Sequence, residues 1–111
     1  MVQIINLTPH AVNLVKPDGS IVTFESQGIA RAAQTVVDAG TVNGYRLVRT
    51  TFGAPECLPE PQEGTFYIVS AILVSAARNA GRSVADLLLP AETVRDATGR
   101  ITGCQAFALV D

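Results

Sequence analysis

Histidine is almost missing from this chain: His10 is the only one in 111 residues. Cysteine is hardly commoner. Cys57 and Cys104 lie outside any C-x-x-C spacing, and with one histidine beside them they do not make a structural zinc site. A disulfide between them stays open, although a reducing cytoplasm would keep both as thiols. Charge is scarce too, with 16% charged residues, a net charge of −2 and a pI near 5.2. That balance excludes a general attraction to a phosphate backbone, so any nucleotide contact has to be local and no long nucleic acid is expected as a partner. Long apolar runs are absent as well. The longest, residues 68–77, is interrupted by Ser70 and Ser75 and is far too short to span a bilayer. No basic segment leads into an apolar one at the start, so the expectation is a soluble, cytoplasmic protein with no membrane partner. P-loop, G-x-G-x-x-G, H-E-x-x-H and G-x-S-x-G patterns are all lacking, and no pair of carboxylates shows an acid/base division.

What the chain does have is apolar content: 48% of its residues. That is ample for a core, so the chain is expected to fold throughout as one domain over residues 1–111. Seven of its eight basic residues are arginine. The planar guanidinium pairs well with phosphate or carboxylate, but the bias equally reflects the coding composition of a genome.

Residues 2–15 read as a first strand, bent or interrupted at Pro9, which cannot donate a ladder hydrogen bond. An exposed edge there would favour self-association, hence an expected homo-oligomer. Lys16-Pro17-Asp18-Gly19-Ser20 should reverse the chain into a strand over residues 21–26. A second hairpin joins residues 31–38 to 45–52. Asp38-Ala39-Gly40 and Asn43-Gly44 both offer its turn; Asn43-Gly44 is the stronger two-residue signal, but it would leave Ala39 and Gly40 in a strand or bulge. Residues 53–65, with three prolines and three glutamates, look like a long irregular connection, either a binding segment or a solvated wrap-around. A short strand over residues 66–69 leads to a helix over 71–80, capped by Ser70 and closed by Gly81, with Ile72, Leu73, Ala76 and Ala80 on its apolar stripe. Leu87-Leu88-Leu89 resembles a buried strand ending at Pro90. The last hairpin turns at Asp96-Ala97-Thr98-Gly99, and its final strand, apolar on both faces, belongs inside a sheet. The expected fold is therefore α+β, a mainly antiparallel, bent or partly closed β-sheet of about six or seven strands with one central α-helix.

Asn6, Thr8 and His10 alternate along an extended segment and so share one face. They suit either a ligand or the backbone groups that Pro9 leaves open. His10 as a base would need Cys104, Cys57, Ser70 or Ser75 within reach, and no spacing supports that. Ser70 opens a helix after a strand, where free amides attract anions, though most helices begin this way. Arg46 and Arg49 point to opposite sides of an ideal strand and would grip one phosphate only with a bulge or a second subunit; with Arg31, they are otherwise surface residues. Arg95 and Arg100 flank the last turn, as solvent or cross-strand partners or, for one of them, as an anion clamp. Arg78 and Arg82 suit the C-terminal end of the helix.

Asn6-Leu7-Thr8-Pro9-His10, Leu58-Pro59-Glu60-Pro61, Tyr67-Ile68-Val69-Ser70 and the run from Val94 to Cys104 resemble a family of small bacterial and phage single-domain proteins. The resemblance spans nearly the whole chain and supplies no reaction and no catalytic residues. It implies a small accessory protein, which in phages often means one that neutralises a host factor. The expected function is non-enzymatic binding of a small anionic or nucleotide-like ligand, as in a counter-defence protein that sequesters a host signalling molecule. Asn6, Thr8, His10, Ser70 and Arg95 are the expected contacts, with no metal or cofactor. The alternatives are an interaction or inhibitor module, acting on a host protein through residues 53–65 and a sheet edge, and a small hydrolase.

Overall fold

The computed structural model describes residues 2–111. In chain order it contains β1 (Gln3–Asn6), β2 (Val12–Val15), β3 (Ile21–Phe24), β4 (Arg31–Val42), β5 (Tyr45–Glu56), β6 (Thr65–Ile68), α1 (Ala71–Asn79), β7 (Leu87–Arg95) and β8 (Ile101–Leu109). Six of these eight strands among the described residues form one sheet in the order β1-β6-β7-β8-β2-β3, and β4 pairs with β5 in a separate sheet. The fold is thus mostly strand, α+β, with one short helix. Its main sheet is mixed rather than mainly antiparallel. β7–β8 and β2–β3 run antiparallel, whereas β1–β6, β6–β7 and β2–β8 run parallel. The helix is the reason for one of these pairs, since a crossover through α1 brings the chain back to lay β7 parallel to β6. A parallel bridge between Asn6 and Ser26 joins the two ends of the strand order, so the sheet is nearly closed.

That bridge changes the reading of the N-terminus. The expected strand over 2–15 is two strands, β1 on β6 and β2 between β3 and β8, with the turn around Pro9 between them. The edge beside Pro9 is not open: Gln27 N donates to Asn6 O at 2.9 Å and Ala30 N to Leu7 O at 3.0 Å.

Local turn chemistry matches expectation. Lys16 N donates to Ser20 O at 2.8 Å, closing the first hairpin. The second reverses at Asn43 and Gly44, whose φ values of 50° and 79° suit a tight two-residue turn, and the register slips between Asp38 and Thr41, so Ala39 and Gly40 form a bulge. Residues 53–56, expected to be irregular, extend β5 instead. Pro55 is tolerated opposite Ala32 because both strands of a two-stranded sheet are edges, where a missing N–H costs no ladder bond. The Leu87-Leu88-Leu89 strand likewise runs on through Pro90 to Arg95. β8 lies inside the sheet between β7 and β2, as its two apolar faces require.

Ser70 caps α1 by accepting from Leu73 N at 3.2 Å. The buried stripe is Leu73, Val74, Ala76 and Ala77, one position on from the expected one, and Ile72 is left 50% exposed. The helix is gripped from two sides, by Tyr67 and Leu87 of the sheet and by the root of the β4–β5 hairpin, so no single i, i+4 row describes what it buries. The sheet register places Ile5, Tyr67 and Leu87 side by side, and these pack with Leu73, Val74 and Ala77 of α1 in the core. Asn6, Ile68 and Leu88 share the opposite face. There the bent sheet brings the Phe24 ring edge-on to Phe107, with centroids 5.6 Å apart. No helix among the described residues is long and apolar enough to cross a membrane.

Candidate functional site

Asn6 is wholly buried, and its amide is saturated by its own chain. Asn6 Nδ2 donates to His10 O at 2.8 Å and to Phe24 O at 2.9 Å. Its Oδ1 accepts from Thr8 N at 2.9 Å and from Thr8 Oγ1 at 2.6 Å. Two donors and two acceptor positions are all that an amide has. Asn6 is therefore a clasp holding β1, the Pro9 turn and the end of β3 together, and it has nothing left for a ligand. Thr8 Oγ1 also lies 3.0 Å from His10 O, the longer alternative for its single proton. His10 joins the cluster through its carbonyl, and its side chain is exposed. Of the expected trio, Asn6 is scaffold.

Thr8 and Ser70 nevertheless meet. A cavity of about 370 Å³ is lined by Leu7, Thr8 and Pro9 of the turn, by Ile29, Arg31 and Gln34 at the start of β4, by Phe52 of β5, and by Ser70 and Ile72 at the N-terminus of α1. The Ala30–Leu7 hydrogen bond seats the entry to β4 beside the turn, and the helix root closes the third side. Its volume falls in the range of about 300–1,000 Å³ typical of small-molecule sites. Its walls are mainly apolar, with Ile29, Phe52 and Ile72 partly exposed into solvent. Arg31 adds a permanent positive charge. The first-turn amides of α1 other than that of Leu73 are not spent on the Ser70 cap, so they add partial positive charge on the same side.

Arg31 and Phe52 were legible only as members of a hairpin. Their convergence with Thr8 and Ser70 depends on contacts across 18 or more residues of chain, for which no local pattern is a signal. Arg95 does not join the cavity: its guanidinium donates to Gly99 O at 2.8 Å within its own hairpin. In the same turn Asp96 Oδ1 accepts from Thr98 Oγ1, Thr98 N and Arg100 N, and this hydrogen bonding, led by the Thr98 hydroxyl, holds the Asp96 carboxyl below the usual carboxylate range. Arg82 does more than cap the helix. It forms a bidentate pair with Asp86, both contacts at 2.9 Å, and donates to Pro59 O at 2.7 Å, pinning the 57–64 connection.

Cys57 and Cys104 are both free thiols. Burial pushes the Cys104 thiol up, which keeps it protonated and weak as a nucleophile. Among the described residues, no three of His, Cys, Asp or Glu stand together as a metal site would require. No family model matches the chain, and neither a curated protein nor a solved structure matches it.

Proposed function

We propose that this protein is a non-enzymatic binder of a small anionic, nucleotide-like ligand, held in the cavity between the Pro9 turn, the root of the β4–β5 hairpin and α1. One observation carries this reading: Thr8, Ser70 and Arg31 come together at one apolar hollow of about 370 Å³. A flat ring suits Phe52, Pro9 and Ile72, while a phosphate suits Arg31 and the α1 amides, with Thr8 Oγ1, its proton held by Asn6, left to accept from a ligand donor. Of the expected contacts, Thr8 and Ser70 keep their place, and Arg31 takes over the anion role given to Arg95. Asn6 supports the site without touching the ligand. The resemblance to small phage proteins supports a biological setting in which a host signalling molecule is sequestered in a host cytoplasm rather than turned over. The hydrolase alternative has little support, because the buried Cys104 is a poor nucleophile and His10 meets its neighbours through its backbone. The interaction-module alternative has less support, because Arg82 holds the 57–64 part of its loop at Pro59.

The test is native mass spectrometry and thermal shift with a panel of cyclic nucleotides and ADP-ribose derivatives. A binding member at 100 times its dissociation constant should stabilise the protein by about 2.7 kcal/mol. Arg31→Ala should weaken that binding by about tenfold or more, as loss of a charge-assisted contact does. Silence across the whole panel sinks the proposal.

A further inference from the structure

The β4–β5 hairpin stands apart from the rest of the molecule. Each strand is 12 residues long, and neither pairs with the main sheet. Its main contacts with the rest of the molecule are at the root, where β4 and β5 meet α1, and there Phe52, Gly53 and Ala54 share a hollow with Ala76, Asn79 and Ala80 at the C-terminal end of the helix. Beyond the root, large apolar side chains face solvent on both sides. Register puts Val36 and Val48 on one face and Val37, Leu47, Val42 and Tyr45 on the other, with Tyr45 74% exposed. A two-stranded hairpin is barely stable in water unless a face is covered. The radius of gyration, 16.8 Å, shows how far this arm reaches. A compact chain of this length would have about 13 Å.

We infer that the occupant of this arm is a second copy of the chain, docked so that each arm lies across the other protomer. Charge favours that partner. Arg31, Arg46 and Arg49 against Asp38 and Glu56 give the hairpin +1, so the remainder of the chain, at a total of −2, carries −3. The arm of one copy is thus opposite in sign to the body of another. Area points the same way. Twelve residues span about 40 Å and two strands are about 10 Å wide with their side chains, so one face offers about 400 Å². A standard stable interface buries about 800 Å² per partner, which one arm face plus an equal acceptor surface under the other copy's arm reaches only in a reciprocal embrace. A two-fold exchange supplies this, because each copy brings the same arm and the same acceptor surface. The free outer edges of β4 and β5 are sheltered in the same step. This inference stands whether or not the cavity at the arm root takes a nucleotide.

Sedimentation velocity of the full chain gives the test. The wild-type protein is expected to be a dimer at about 100 μM, which asks for an association free energy of only about −5.5 kcal/mol. Val37→Lys combined with Leu47→Lys, both at exposed positions, should raise the dissociation constant at least tenfold while the circular dichroism spectrum is unchanged. Hydrogen exchange on the wild-type chain keeps the question answerable if that variant misfolds: amides of residues 34–51 should lose protection on dilution, ahead of those in β6 and β7. A wild-type monomer at that concentration overturns the proposal. So does a dimer that survives the folded double variant, or arm amides whose protection ignores dilution.

Discussion

At Asn6 every hydrogen-bonding position of the side chain is spent on the chain itself, so its removal is a stability event. Asn6→Ala strands the Phe24 carbonyl and the Thr8 amide, leaves His10 O to the Thr8 hydroxyl alone and opens a void, with an expected cost of about 2–4 kcal/mol. Urea unfolding should show a lower midpoint with an unchanged slope, and a midpoint equal to wild type would refute the clasp. Asp18 and Asp96 act on a smaller scale. Each carboxylate accepts a hydroxyl and backbone amides of its own turn, led by the Ser20 and Thr98 hydroxyls respectively, and its pKa lies below the ordinary value. A depressed folded-state pKa means that the turn contacts contribute fully above the unfolded value of about 3.9 and are lost as pH falls through the folded one. NMR titration should therefore find both carboxyls still ionised where a free aspartate is already half protonated. A titration midpoint above the free value at either residue contradicts the turn geometry.

Between elements, two contacts decide how strands and loops meet. β8 approaches β2 so closely at Gly103 that an added Cβ would stand 2.9 Å from Asn13 O, a backbone atom that cannot swing aside. Gly103→Ala should accordingly push the two strands apart and cost about 1–3 kcal/mol, read as a lower melting temperature. Asn13 spans the same seam, donating to Thr102 O at 3.2 Å. Arg82 is the second such contact. Its side chain is only 11% exposed and its forked pair with Asp86 also carries Pro59. Arg82→Ala leaves Asp86 half buried without its cation and frees the 57–64 connection, at an expected cost of about 2–4 kcal/mol. Arg82→Lys should recover only part of it, since an ammonium cannot match both carboxylate oxygens and Pro59 at once. Limited proteolysis should then cut within 57–64 in the alanine variant first. Equal cleavage in both variants and wild type would show that the pin is idle.

At the scale of the whole molecule, a nearly closed mixed sheet and a protruding arm leave a hollow where they meet, and the proposed ligand and the proposed second copy would both sit beside it. The parts of this plan that depend on neighbours a few positions away were legible in the chain: the turns at Gly19, Asn43-Gly44 and Asp96–Gly99, the Ser70 cap and Gly81 stop, and the interior place of β8. Positive φ, a capping hydroxyl or an alternation of side chains acts within a short segment, so its residues carry the whole cause. The candidate site was half legible, because Thr8 and Ser70 could be named from local chemistry, whereas Arg31 and Phe52 could not be brought to them. Asn6 was singled out for the same polarity that makes it a clasp. Its partner Phe24 lies 18 positions away, and only closure of the sheet delivers that carbonyl. Parallel pairing, the continuation of strands through Pro55 and Pro90, the rotated face of α1 and the grip of Arg82 on Pro59 have the same origin. Each is settled by which distant surfaces pack together and which polar groups packing leaves to be satisfied. That competition is fought over the whole fold, and no window of the chain contains it.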